Sequence, residues 1–177
     1  MILLGESECM TPEGGDFSVI DHRSHRVRRV SNGTLNVETM SVCASMDMAI
    51  FTRALAGEML LKDYIPGKSE LPETFIPVKQ FTDCKSLFDA LSKDTTAFNT
   101  TDKRLSIDLC AIADMCATFG KEVVKTLKWI PTWLMIADHM TKEKPTGELR
   151  EILSKGRISL VRETNQDWSL DPLKKPG

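Results

Sequence analysis

The sequence predicts an α/β fold, on three observations. Short β-prone runs alternate with longer stretches whose apolar residues recur at helical spacing. Twice a strand pattern runs straight into a helix pattern, over residues 75–91 and again over 123–138. The chain has 177 residues, 41% of them hydrophobic, which suits one buried core. The expected organisation is one domain over residues 1–161 and a polar tail over 162–177.

Taken in order, Ile2, Leu3 and Leu4 and then residues 17–20 flank Pro12, Gly14 and Gly15, the pattern of a hairpin. Residues 31–61 contain no proline, and between Asn36 and Gly57 the only charges are Glu38, Asp47 and Arg53. That is a long helix, apolar almost all round, with Ser31 or Thr34 as its N-cap. Such a helix is packed over most of its circumference, so a carboxylate in its first turns must face a solvent gap or find a cation. Residues 62–75, with Pro66-Gly67 and Pro72, read as an exposed connection.

Residues 75–82 are β-prone, Asp83 ends them, and Leu87, Phe88 and Leu91 follow at helical spacing. Over residues 102–119, Leu105, Leu109, Ile112, Cys116 and Phe119 form one stripe, with Thr101 as the expected N-cap and Gly120 as the stop. Alternation over 123–129 predicts a strand, and Pro131-Thr132 precedes an expected helix carrying Asp138. Residues 148–155 read as a last short helix and 158–161 as a closing extended piece. The tail, with Pro172 and Pro176, has too few apolar residues to fold by itself and is expected to be disordered.

The formal net charge of −2 gives no global positive field, so a polyanion contact requires a local patch. His22, Arg23, His25, Arg26, Arg28 and Arg29 form one; such a run is usually a solvated turn, and its alternative role is to hold phosphates. Cysteines 9, 43, 84, 110 and 116 form no CxxC pair and are odd in number, which predicts reduced thiols in an intracellular, non-secreted protein. The apolar run at residues 2–4 is too short for a signal segment, and nothing approaches the roughly 20 apolar residues that span a bilayer. Trp129, Trp133 and Met40, Met46, Met48 and Met59 read as packing residues.

Three stretches carry a family resemblance. Residues 28–39, Arg-Arg-Val-Ser-Asn-Gly-Thr-Leu-Asn-Val-Glu-Thr, are similar to the "RRVxRSTLxAET" segment of copia-type retrotransposon polyproteins. Residues 82–89, Thr-Asp-Cys-Lys-Ser-Leu-Phe-Asp, resemble the family's "TDCKSLYD". Residues 129–132, Trp-Ile-Pro-Thr, and 137–142, Ala-Asp-His-Met-Thr-Lys, resemble "WVPT" followed by "ADxLTK". Weaker similarity at residues 18–24 and 101–108 extends the likeness to about residue 161.

The resemblance implies a ribonuclease H-like fold, a mixed central sheet flanked by helices. It implies hydrolysis of the RNA strand of an RNA–DNA hybrid, in a segment following the reverse transcriptase of the same polyprotein. It implies Mg²⁺ or Mn²⁺ held by Glu38, Asp83 and Asp138. The basic patch lies just before the helix that carries Glu38, and from that position Arg26, Arg28 and Arg29 are expected to contact the hybrid's phosphates. Two-metal hydrolysis needs oxygen ligands converging on ions about 4 Å apart, which carboxylates provide better than imidazoles or thiolates. Each acid also has a plainer explanation: Glu38 as a helix-start acid favoured by the macrodipole, Asp83 as an N-cap, Asp138 as a solvent-facing helix residue.

In the family a further metal-bridging Asp sits on a first strand just ahead of the hairpin, and no residue here matches it. The chain therefore reads as N-terminally truncated. Cleavage by it is expected to be weak or absent, because hard cations tolerate the loss of an oxygen ligand poorly. A strand missing there also predicts an exposed sheet edge and self-association through it. The alternative is a non-catalytic retroelement remnant that binds nucleic acid or protein.

Overall fold

A computed structural model describes residues 1–23, 33–68, 71, 75–93, 101–120, 123–140 and 147–160. In chain order the elements are β1 (Ile2–Gly5), β2 (Gly15–Asp21), α1 (Thr34–Leu60), β3 (Gln80–Thr82), α2 (Lys85–Ser92), α3 (Lys103–Gly120), α4 (Val123–Thr126), β4 (Leu127–Trp129), α5 (Gly147–Lys155) and β5 (Arg157–Ile158). Single 3-10 turns lie at Ser7–Met10, Thr132–Leu134 and Ile136–Met140. The protein is thus mixed α/β. The described strands form two sheets, one in the order β1-β2-β5 and the other pairing β3 with β4.

The chain divides into two compact units, one of residues 27–128 and one built from residues 1–26 and 129–177. In the first, the stripe expected on α3 is the centre of the core. Leu105, Leu109, Ile112 and Cys116 are buried against Val42 and Met46 of α1, Leu87 and Leu91 of α2, and Leu127. Each such side chain contributes about 1.5–3 kcal/mol by leaving water. Asp102 starts α3: its Oδ1 accepts the amides of Arg104 (2.9 Å) and Leu105 (3.3 Å), while its Oδ2 accepts Asn36 Nδ2 of α1 (2.9 Å). The cap is therefore Asp102, not Thr101, because only the carboxylate at that position reaches the free amides of the first turn.

Four other local expectations change. The N-cap of α1 is Gly33 with no side-chain cap bond, Thr34 being already helical; Ser31 lies outside the described residues. Strand β3 keeps only the end of the run expected from residue 75. Pro77 lacks an amide for a ladder, and Ile76 has φ 43°, a left-handed conformation unfavourable for a β-branched residue. Arg53 of α1 holds that bend, its Nε donating to the carbonyls of Phe75 (2.9 Å) and Ile76 (3.3 Å).

The strand expected over 123–129 begins as a turn of helix, α4. Val123 on this turn and Leu127, the first residue of β4, both join the core around α3. The helix expected after Pro131 is instead two 3-10 turns, closed by bonds from Leu134 N to Pro131 O (2.8 Å), Met135 N to Thr132 O (3.1 Å) and Asp138 N to Met135 O (3.0 Å). Three-residue spacing suits this segment because Ile136 and His139, three apart, are its buried residues.

In the second unit β1 and β2 form the expected antiparallel hairpin, with Leu3 opposite Val19 and Leu4 opposite Ser18. The short β5 adds to β2, setting Gly15 opposite Ile158 and Asp16 opposite Arg157. The approach is close enough to require glycine at the turn. A Cβ on Gly14, whose φ is 71°, would lie 2.8 Å from the Ile158 carbonyl oxygen, and one on Gly15 2.7 Å from the Cys9 nitrogen. Cys9, Ile136, Leu149 and Ile158 are the buried cluster beneath. The strand order leaves β1 as an edge strand among the described strands.

Candidate functional site

Glu38 lies in the second turn of α1; no acid occupies the first turn, where the macrodipole acts most strongly. It is half-buried, next to Thr39, which is fully buried and donates its hydroxyl to the Leu35 carbonyl (2.7 Å). Because Thr39 faces the core, the following turns of α1 are fixed in rotation and Glu38 is held at the rim of the packed face.

Asp83 follows β3 directly and is also half-buried. The residue at the cap position of α2 is Cys84, which makes no side-chain cap bond; its own amide donates to Thr82 Oγ1 (3.2 Å). Asp83 thus stands one residue ahead of the cap position, where the chain turns from β3 into α2. Both α1 and β3 belong to the unit of residues 27–128 and pack on one another, so Glu38 and Asp83 ride on neighbouring elements.

Asp138 is half-buried in the 3-10 turn Ile136–Met140, in the unit formed by the two ends of the chain. The adjacent His139 is buried. Among the described residues no group of three or more His, Cys, Asp or Glu side chains is arranged to hold a metal ion. Arg26, Arg28 and Arg29 lie outside the described residues. Arg23, at the near end of the same basic run, pairs with Asp21 (3.1 Å) at the surface.

Arg53 was legible only as an isolated cation in an apolar helix. Besides holding the bend at residues 75–76, its guanidinium carbon lies 5.9 Å from the centroid of the Phe119 ring. Burial lowers its pKa, the nearby Tyr64 acting weakly the other way. It serves the packing of α1, α3 and the connection into β3. No protein-family model matches the chain, and no similar curated protein or solved structure was found.

Proposed function

We propose that the chain is a ribonuclease H-type domain of a copia-like retrotransposon polyprotein, acting on the RNA strand of RNA–DNA hybrids and impaired as it stands. The observation that carries this reading is the order and spacing of the three motifs around Glu38, Asp83 and Asp138. Two features of the fold support it. Glu38 rides on α1 and Asp83 directly follows β3, two elements that pack together, and Glu38 lies beyond the first turn, where a helix-start acid is most favoured. Arg26, Arg28 and Arg29 are assigned to the phosphates of the hybrid, and the reverse transcriptase segment is the expected covalent neighbour.

In this reading Mg²⁺ or Mn²⁺ supplies the activated water when bound, and Glu38, Asp83 and Asp138 are the chain's own oxygen donors. Hydrolysis of a labelled hybrid is expected near background and lower still in Glu38→Gln. The binding arm is Mn²⁺ titration: affinity falls at least tenfold in Glu38→Gln and in Asp83→Asn, on the scale of losing one ligand. Equal Mn²⁺ binding by wild type and both variants overturns the reading. Robust cleavage abolished by Glu38→Gln shows instead that the chain needs no further carboxylate.

A second reading is favoured by the division of the strands into two sheets and by the absence, among the described residues, of a three-ligand cluster. It is a non-catalytic remnant whose remaining activity is binding nucleic acid or protein. Charge reversal of Arg26, Arg28 and Arg29 separates the two contributions. Loss of hybrid affinity with a shallower salt slope, and no cleavage under any metal, leaves binding alone.

A further inference from the structure

Among the described residues Ile76 is the one non-glycine residue with a positive φ, 43°. Two features of the sequence oppose that conformation. The side chain is β-branched, which makes a left-handed backbone an outlier, and Pro77 follows, which drives the residue before it towards extended geometry. Strain of this kind costs about tenfold to a hundredfold in population, persists only where the surroundings enforce it, and gathers at switch segments. Phe75, Ile76, Val78, Phe81 and Thr82 are all strand formers, so the segment's own preference is to carry β3 backwards through residue 75.

The bend is enforced by one side chain of α1. The single Nε–H of Arg53 is shared between the carbonyls of Phe75 (2.9 Å) and Ile76 (3.3 Å). Its guanidinium carbon is held 5.9 Å from the centroid of the Phe119 ring on α3, which fixes the donor in place. A hydrogen bond from a charged donor is worth about the same tenfold to a hundredfold, so clasp and strain nearly cancel. The extended alternative meets no obstacle in the sheet. Among the described strands β3 pairs only with β4, and Pro77, which is exposed and lacks an amide, is tolerated along an open edge.

We propose that residues 75–79 are a two-state latch: a bend clasped by Arg53, and a released form in which Ile76 turns extended and the segment continues β3. The latch couples α1 to β3, because the clasping side chain belongs to the first and the clasped carbonyls lead into the second. A displacement of α1 that withdraws Arg53 releases the bend, and straightening of the bend frees the guanidinium. The latch stands on backbone geometry and hydrogen bonds and does not rest on the nuclease reading.

Carbon-13 and nitrogen-15 NMR of the full chain tests it. In wild type, Ile76 should show the Cα and Cβ shifts of a left-handed residue. Millisecond relaxation dispersion at Ile76, Val78 and Lys79 should report a released population of about 1–10%. Pro77→Ala lifts the constraint on Ile76 at an exposed position and should lower that population about three- to tenfold. Arg53→Met should make the released form the major one and give Ile76 the shifts of a strand residue. If Arg53→Met fails to fold, wild type and Pro77→Ala decide between the outcomes. Wild type without exchange at these residues, Pro77→Ala exchanging as wild type does, or a folded Arg53→Met that keeps the left-handed shifts overturns the proposal.

Discussion

Cys116 sits in the α1–α3 core, fully buried, and burial pushes its thiol up to about 11 from an ordinary 9.0. The folded state therefore keeps a proton that the unfolded chain releases. Between pH 9 and 11 the unfolded state binds fewer protons, so stability is complete below the lower value and falls as pH rises through the higher one, by about 2–3 kcal/mol in all. Urea midpoints across that window should show the fall in wild type and a shallower one in Cys116→Ala. Exposed Cys110 should be alkylated in the native protein, whereas Cys116 should react only on unfolding. Arg53 offers a second test at this scale. Arg53→Met keeps the aliphatic stem but leaves the Phe75 and Ile76 carbonyls without their shared donor, and should cost about 1–3 kcal/mol by chemical denaturation.

Among the elements, α3 shows what a cap and a stripe accomplish together. Asp102→Ala removes two amide contacts at the start of the helix and the bond to Asn36 on α1, and should cost about 1–2 kcal/mol. Asp102→Asn, which retains an acceptor for the amides, should recover most of it. A double-mutant cycle with Asn36→Ala should give a coupling of at least about 0.5 kcal/mol; none would mean the inter-helix bond is idle in solution. This helix was legible because its apolar spacing survives any tertiary context. Residues 75–79 and 123–126 were not, since each turned on a partner distant in sequence. The first segment is bent by Arg53, twenty-two residues away from the nearer carbonyl it holds, and the second is a helical turn whose Val123 joins the core around α3. The candidate acids were legible as motifs. Their surroundings were not, because the motif alone does not reveal that the cap position of α2 falls on Cys84, one residue past Asp83, with Thr82 Oγ1 accepting the Cys84 amide.

At the scale of the whole molecule, the two units differ in how the chain reaches them. The α1–α3 core is drawn from the continuous segment 27–128, whereas the hairpin unit closes only when β5 pairs with β2 and brings residue 158 to residue 15. Ordering so long a loop costs entropy before the contact repays it. The hairpin unit also has the smaller cluster, Cys9, Ile136, Leu149 and Ile158. It should therefore open at lower free energy than the helical core, a difference that native-state hydrogen exchange resolves. The Phe17 amide, bonded to the Gly156 carbonyl (2.9 Å), reports on the hairpin unit, and the amides of Leu109 and Ile112 report on the core. Ile158→Ala opens a cavity under β5 and should speed exchange at Phe17 by the equivalent of about 2–4 kcal/mol. Leu109 and Ile112 should keep wild-type protection. Equal acceleration at all three amides would show that the two units unfold as one cooperative body, and the division between them would then be one of chain path and not of stability.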